Sequence, residues 1–230
     1  YQGAFEIYDI DLSAKSYGAF PVGNASKVVV SGSDVTAGTY GVATNNAYSK
    51  DSSLEIKIEN KSSVTTEDSN GDSTPVMINI PGATLTISDS KIYGQRQAVF
   101  VRAGTATVTG ESEIHFDNSF KSYTYKDSNG NNQTEPVIGD NDDWVDGNRA
   151  IAGAVVVGNK SKVAYTGDAK FYMSGGSINA VGGNAIVTTA YDSTGKTAVD
   201  VVIGKDSPTT ISCGTEGSAA TVKVSGLTYK

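Results

Sequence analysis

The sequence predicts an all-β solenoid, in which short parallel strands stack turn upon turn around one apolar interior. Three observations predict it. Composition favours strands and turns over helix interiors: the 230 residues include 26 Gly, and Ser, Thr, Asn and Val fill much of the rest. A short unit recurs along the chain, made of an alternating apolar run, a tight polar corner and a single apolar anchor. A third apolar run then follows each unit.

The corners read Val30-Ser-Gly-Ser-Asp-Val35, Ile58-Glu-Asn-Lys-Ser-Ser-Val64, Ile87-Ser-Asp-Ser-Lys-Ile92, Val108-Thr-Gly-Glu-Ser-Glu-Ile114 and Tyr165-Thr-Gly-Asp-Ala-Lys-Phe171. Each spans five or six positions from one apolar end to the other. The runs that open them alternate: Val28 with Val30, Ile56 with Ile58, Leu85 with Ile87, Val163 with Tyr165. Period two means a strand with one buried face. The third runs are Gly41-Val42, Val76-Met77-Ile78, Val99-Phe100-Val101, Val155-Val156-Val157 and Ile186-Val187. Units therefore start near residues 27, 54, 84, 106 and 162. A weaker one passes through Ile10, Leu12, Phe20 and Val22. A later one passes through Val199, Val201, Ile203 and Ile211, and Val222 with Val224 opens another. Three strands per turn of at least about 22–28 residues is a solenoid signature. No unit buries its apolar face alone, and stacking closes a continuous core. Residues 1–230 form one domain of about six to eight coils, interrupted by an inserted loop at 117–148. A β-sandwich also has many short strands. Its linkers, however, have no reason to repeat in chemistry from unit to unit.

The net charge of −7 leaves no basic face for nucleic acid. The one cysteine, Cys213, forms no intrachain disulfide and reads as a small strand residue. No apolar run approaches the roughly 18–20 residues of a membrane-spanning helix. The chain begins at Tyr1, so it reads as a processed product or a segment of a longer protein.

The repeats resemble the right-handed, single-stranded parallel β-helix of the pectate-lyase-like superfamily, in particular the passenger regions of bacterial autotransporter adhesins. The segments that carry the resemblance are Leu85-Thr-Ile-Ser-Asp-Ser-Lys-Ile92, Ala98-Val-Phe-Val-Arg-Ala-Gly104, Thr107-Val-Thr-Gly-Glu-Ser-Glu-Ile114 and Ser174-Gly-Gly-Ser-Ile-Asn-Ala-Val-Gly-Gly-Asn-Ala-Ile186. The resemblance covers most of the chain outside 117–148. It implies a right-handed β-helix and an extracellular or bacterial cell-surface location. It does not choose among lyases, hydrolases, tailspikes and adhesins. A pectate lyase resemblance would imply clustered carboxylates for calcium beside a basic residue. Arg96 and Arg102 are present, without an acidic cluster in the neighbouring units. The Gly-His-Gly and Arg-x-Lys motifs of polygalacturonases are absent. His115, the single histidine, sits at an alternating strand position and reads as a half-exposed strand residue, with no partner assignable for catalysis.

Segment 117–148 departs from the repeat. Long loops in compact folds are usually functional or disordered, and aromatics argue against plain disorder. This one holds Trp144, the only tryptophan, with Phe120, Tyr123 and Tyr125. Tyr123, Tyr125, Trp144 and Asp143 are the candidate ligand-binding residues, since flat rings stack on sugars and carboxylates bond hydroxyls. The competing reading is that the rings pin the loop to the wall. Asp140, Asp142 and Asp146 are candidate calcium ligands, and calcium is the one cofactor considered. An EF-hand match fails at its fifth position, Trp144. The turn-like Glu67–Asp72 and Asp127–Gly130 read as solvated turns.

No catalytic constellation assembles from the sequence. The leading expectation is an adhesin or a structural and interaction module, whose partner is a host or neighbouring-cell protein or glycan. The alternatives are a carbohydrate-active or glycan-binding protein using the loop, and a filament or phage-fibre segment. Both ends stand in mid-pattern, which suits end-to-end or homo-oligomeric stacking. The alternation places Ile87 inside, so Ile87→Asp should cost several kcal/mol and prevent folding. Near-normal thermal stability of that variant would put Ile87 in solvent and the register off by one.

Overall fold

The computed structural model describes residues 3–21, 25–44, 53–67, 73–95, 97–117, 122–126, 129–136, 153–159, 167–181, 184–190 and 198–213. Among them the chain is all-β, with no helix. The strands lie in two parallel sheets and one antiparallel hairpin. None of the described segments is a helix long and apolar enough to cross a membrane.

The first strand of each unit joins a seven-strand ladder: β1 (Gly3–Tyr8), β4 (Ala25–Ser31), β7 (Glu55–Glu59), the second half of β9 (Thr74–Ser88), the second half of β11 (Gln97–Thr109), β16 (Ala169–Ser174) and β19 (Val199–Ile203). All pairs are parallel. Phe5, Val28, Ile56, Leu85, Ala106, Phe171 and Val201 follow one another in register. The next inward column is Ile7, Val30, Ile58, Ile87, Val108, Met173 and Ile203. Val108 thus aligns with Ile87 and not with Leu85. Apart from the exposed Phe5, both columns pack into the main core.

The second ladder is a sheet of its own: β2 (Asp11–Ala14), β5 (Asp34–Ala37), β8 (Ser63–Thr66), β10 (Lys91–Gly94), β12 (Glu113–Asp117), β17 (Ser177–Val181) and β20 (Thr210–Cys213). Its inward column holds the anchors Leu12, Val35, Val64, Ile92, Ile114, Ile178 and Ile211. Two expected positions change. Residues 163–165 lie outside the described residues, and the strand beside Gly104–Thr109 is Ala169–Ser174. Phe171 therefore belongs to an opening run, and Ile178 is the anchor that follows. Gly167 imitates a corner in the sequence, but the corner is made by Gly175 and Gly176, both at positive φ. In the first unit, Ile7 is buried while Ile10 is 50% exposed, and Val22 lies outside the described residues.

The third ladder comprises β3 (Tyr17–Ala19), β6 (Tyr40–Ala43), the first halves of β9 and β11, β15 (Gly153–Asn159) and β18 (Asn184–Ala190). Val42, Val76, Val99, Val155 and Ile186 lie in register and face the main core. The alternate residues Ala43, Met77, Phe100, Val156 and Val187 form a second buried cluster with Tyr40. Parallel strands buried on both faces read as continuous apolar runs. That is why these segments do not alternate in the sequence.

The corner between the first two ladders repeats most closely. Asp9, Gly32, Asn60, Asp89, Gly110, Gly175 and Gly204 all have positive φ, at least one residue at every corner, with Lys61 and Gly176 as second ones. At Gly110, with φ +68°, an added Cβ would also run into the Asp89 carboxylate. Just beyond stands a buried serine: Ser33, Ser62, Ser90 or Ser112, each 0–1% exposed. Each hydroxyl donates to a carbonyl of its own corner, Ser33 to Ser31 (2.9 Å), Ser62 to Glu59 (2.6 Å), Ser90 to Ser88 (2.8 Å) and Ser112 to Thr109 (2.7 Å). Three of them, Ser33, Ser62 and Ser112, also accept from the preceding unit. Ile10 N–H donates to Ser33 Oγ and Ser33 N–H to Ser62 Oγ, both at 3.1 Å, and Ser90 N–H donates to Ser112 Oγ at 3.4 Å. The hydroxyls satisfy amides that the strand ladders do not reach.

Ser62→Ala orphans the buried Ser33 amide and should destabilise the chain by about 1–3 kcal/mol. Ser63→Ala, which loses only an exposed bond to Asp34, should change stability by less than about 0.5 kcal/mol. Urea unfolding of the two variants checks this. Equal effects would remove the serine column from the account.

Candidate functional site

The second ladder turns its other face outward. The residue one place after each anchor lies on that face, and the register stacks Ser13, Thr36, Thr65, Tyr93, His115, Asn179 and Ser212 in one column. At its centre the Tyr93 and His115 rings stack, with centroids 4.0 Å apart and planes inclined by 21°. Tyr93 is 43% exposed and His115 only 9%. Asn179 Nδ2 lies 3.2 Å from His115 Nδ1. An amide nitrogen only donates, so Nδ1 accepts and the ring proton sits on Nε2. Ser212 Oγ donates to Asn179 Oδ1 at 3.0 Å, which holds the amide in that orientation.

Charge flanks the stack. Glu113 and Asp117 stand two positions either side of His115 on the same strand, and strand alternation puts them on the same face. Lys91 pairs with Glu113 at 3.4 Å across the ladder. Burial pushes the Tyr93 phenol up from its usual range, and the Asp117 and Glu113 carboxylates push it the same way. The tyrosine therefore stays protonated and presents an apolar ring face and a hydroxyl that both donates and accepts. Such a surface can stack on a flat or ring-shaped group and hydrogen-bond its polar edge.

Strand β12, which carries His115, ends at Asp117, and the inserted segment begins there. Within it β13 (Ser122–Lys126) and β14 (Asn132–Pro136) form an antiparallel hairpin with Gly130 in its turn at φ +81°. Of the sequence-predicted ligand residues, Tyr123 lies opposite Glu135 and Tyr125 opposite Gln133. Trp144, Asp143, Asp140, Asp142 and Asp146 lie outside the described residues. Among the described residues no three His, Cys, Asp or Glu side chains gather as a metal group. Arg102, weighed as a basic group, is 1% exposed and stacks 5.5 Å above the Phe100 ring. Arg96 lies outside the described residues.

The Tyr93–His115–Asn179–Ser212 column was not read from the sequence, because its members are 22, 64 and 33 positions apart in succession. The signal was their common offset from the anchors. His115 looked partnerless only because its neighbours belong to other units. Compared with family models, with curated proteins and with solved structures, the chain matches none.

The hairpin pairs with neither parallel sheet. Its outermost register pair joins Ser122 to Pro136, so the two ends are adjacent. Replacing 122–136 by two glycines should therefore leave the thermal midpoint within about 2–4 °C of the parent. A fall much beyond that would make the hairpin part of the structural cover.

Proposed function

We propose that the chain is a right-handed parallel β-helix and works as an interaction module, an adhesin or structural element of a secreted or cell-surface bacterial protein. The register of the three ladders supports the coil, since the same column order recurs from unit to unit. The hand rests on the resemblance of its repeats to the pectate-lyase-like superfamily. The observation that carries the functional reading is the Tyr93–His115 ring stack on the outer face of the second ladder, with the Tyr93 ring 43% exposed. A stacked apolar interior makes a stiff support. A flat aromatic platform on its outer face makes a recognition surface upon it.

A second reading, glycan binding or cleavage, is favoured by the carboxylates Glu113 and Asp117 beside the Tyr93 ring. Two carboxyl groups on either side of a bound sugar are the minimal apparatus of glycoside hydrolysis. In both readings the ring face of Tyr93 contacts the partner. Calcium, if bound, would be held by Asp140, Asp142 and Asp146.

Labelled protein applied to a glycan array and to fixed epithelial cells tests the site, and a reducing-sugar assay on acidic polysaccharides separates binding from cleavage. Tyr93→Ala should weaken binding at least about tenfold, the scale of a central aromatic contact. Undiminished binding by Tyr93→Ala would remove the platform from the recognition surface. Release of reducing ends, lost in Glu113→Gln, would replace the adhesive reading by the enzymatic one.

A further inference from the structure

The two faces of the Tyr93 ring differ. His115 stacks on one of them, with centroids 4.0 Å apart. On the other side the neighbour in the outer column is Thr65, whose short side chain cannot span a ring. The tyrosine is 43% exposed. The two stacked rings therefore leave room for a third flat group above Thr65. This place lies in the middle of the second ladder, with described strands on either side.

Carboxylates surround it. Glu113 and Asp117 flank His115 on β12, and Glu67 follows Thr65 by two positions. The Glu67 amide donates to the Ala37 carbonyl at 3.1 Å. That bond carries the ladder one residue past β8 and puts Glu67 on the outer face with Thr65. Within β8, β10 and β12 the one lysine or arginine is Lys91, and it pairs with Glu113 at 3.4 Å. Among the described residues neither Glu67 nor Asp117 forms an ion pair. Burial first, then the charges of Asp117 and Glu113, hold the Tyr93 phenol above its usual range. The negative potential of the carboxylates thus reaches the ring. His115 does not oppose it, because its Nδ1 accepts from Asn179 and the imidazole is neutral in that arrangement. A ring face of this kind, rimmed by carboxylates, attracts a cation and repels an anion.

We infer that the occupant of this face is an arginine side chain of a protein partner, its guanidinium stacked on Tyr93 above Thr65 and paired with Glu67. The inference rests on the reading of the Tyr93 face as the recognition surface and names what that surface takes. A guanidinium is flat, so it completes the stack, and its fork of N–H donors matches a carboxylate. An ammonium is a point charge with no face to stack. The fold makes the same contact internally, where the Arg102 guanidinium lies 5.5 Å from the centroid of the Phe100 ring. A neutral sugar would use the ring and leave the carboxylates without a matching charge. The net charge of −7 also draws a basic segment toward this chain from a distance.

Calorimetric titration of the full chain with the peptide acetyl-Gly-Arg-Gly-Arg-Gly-amide tests this, beside the same peptide carrying citrulline, the uncharged isostere of arginine. The arginine peptide should bind at least about fivefold more tightly. Tyr93→Leu and Glu67→Gln should each weaken it about threefold or more. Glu59→Gln, which makes the same change of net charge on the first ladder, should alter it by less than about 1.5-fold. Isotope-labelled histidine gives a single ring signal, since His115 is the only histidine. That signal should move with the arginine peptide in the parent and stay in place in Tyr93→Leu. Equal affinity for the citrulline peptide would overturn the proposal. Equal losses in Glu59→Gln and Glu67→Gln would do the same, leaving only diffuse attraction between opposite charges. Binding of a glucosamine pentamer with no response to the arginine peptide would give the cation to an amino sugar and overturn it as well. If Tyr93→Ala loses cell binding while the arginine peptide goes unbound, the recognition surface stands and its occupant is wrong. If Tyr93→Ala keeps full binding to cells, the surface itself is lost and the proposal falls with it. A thermal midpoint close to the parent's shows that a variant is folded. Should Tyr93→Leu melt early, Glu67→Gln carries the same arm, since that residue is exposed.

Discussion

The corner between the first and second ladders is the constraint on which the rest depends. A chain leaving one sheet for another across two to six residues must turn sharply, and it leaves amides pointing inward without strand partners. Two devices solve this, the first at all seven corners and the second at four of them. A residue with positive φ makes the turn, and glycine, asparagine or aspartate pays the least for that conformation. A serine then lends its hydroxyl to the stranded amide of the unit before and to its own corner carbonyl. A second column of bonds runs beside it, from the amide that opens each second-ladder strand to the preceding corner, as in Ser63 to Ser33, Lys91 to Ser62 and Glu113 to Ser90. A slip of one residue would expose every serine column and invert the inward faces together. Corner chemistry and apolar alternation thus specify the same register.

The third side obeys different rules. Its strands are joined to their neighbours by long segments as well as short ones, and the hairpin is inserted there between β12 and β15. Where one strand bends directly into the next, the fit is tight. Gly104 sits at such a bend in β11 with φ +96°, and an added Cβ would stand 2.6 Å from the Ala83 carbonyl oxygen. The second apolar cluster explains the character of this side, because strands buried on both faces need no polar alternate positions. Length variation is tolerated at its ends, since the register is already set at the opposite corner.

This division tells what the sequence made legible. The anchors Val35, Val64, Ile92 and Ile114, and the third runs from Val42 to Ile186, align in register where the spacing put them. The fifth unit did not, because Gly167-Asp168 imitates a corner and Phe171 an anchor. Only the alternation Ala169, Phe171, Met173 marks the true strand. The serines were visible as polar filler and not as buried acceptors, since nothing in one unit shows which amides it leaves unpaired. The Tyr93–His115 stack was hidden for a related reason. Lateral neighbours in a parallel ladder are one full unit apart, so contact follows offset within the unit and not distance along the chain. Of the loop residues selected from the sequence, Tyr123 and Tyr125 lie on the hairpin, and the acidic and tryptophan positions lie outside the described residues.

Repeated corners hold the parallel ladders in one register, and the outer face of the second sheet carries the stacked Tyr93 and His115 rings. The central claim is the continuous parallel ladder, and one distance tests it most directly. Spin labels placed at Thr36 and Ser212, with Cys213 replaced by alanine, sit five rungs apart in the outer column. At roughly 4.8 Å per rung the Cα atoms should be about 24 Å apart, with a single narrow distance distribution from pulsed electron resonance. A separation near one or two rungs, or a broad distribution, would contradict the ladder and with it the account of the corners.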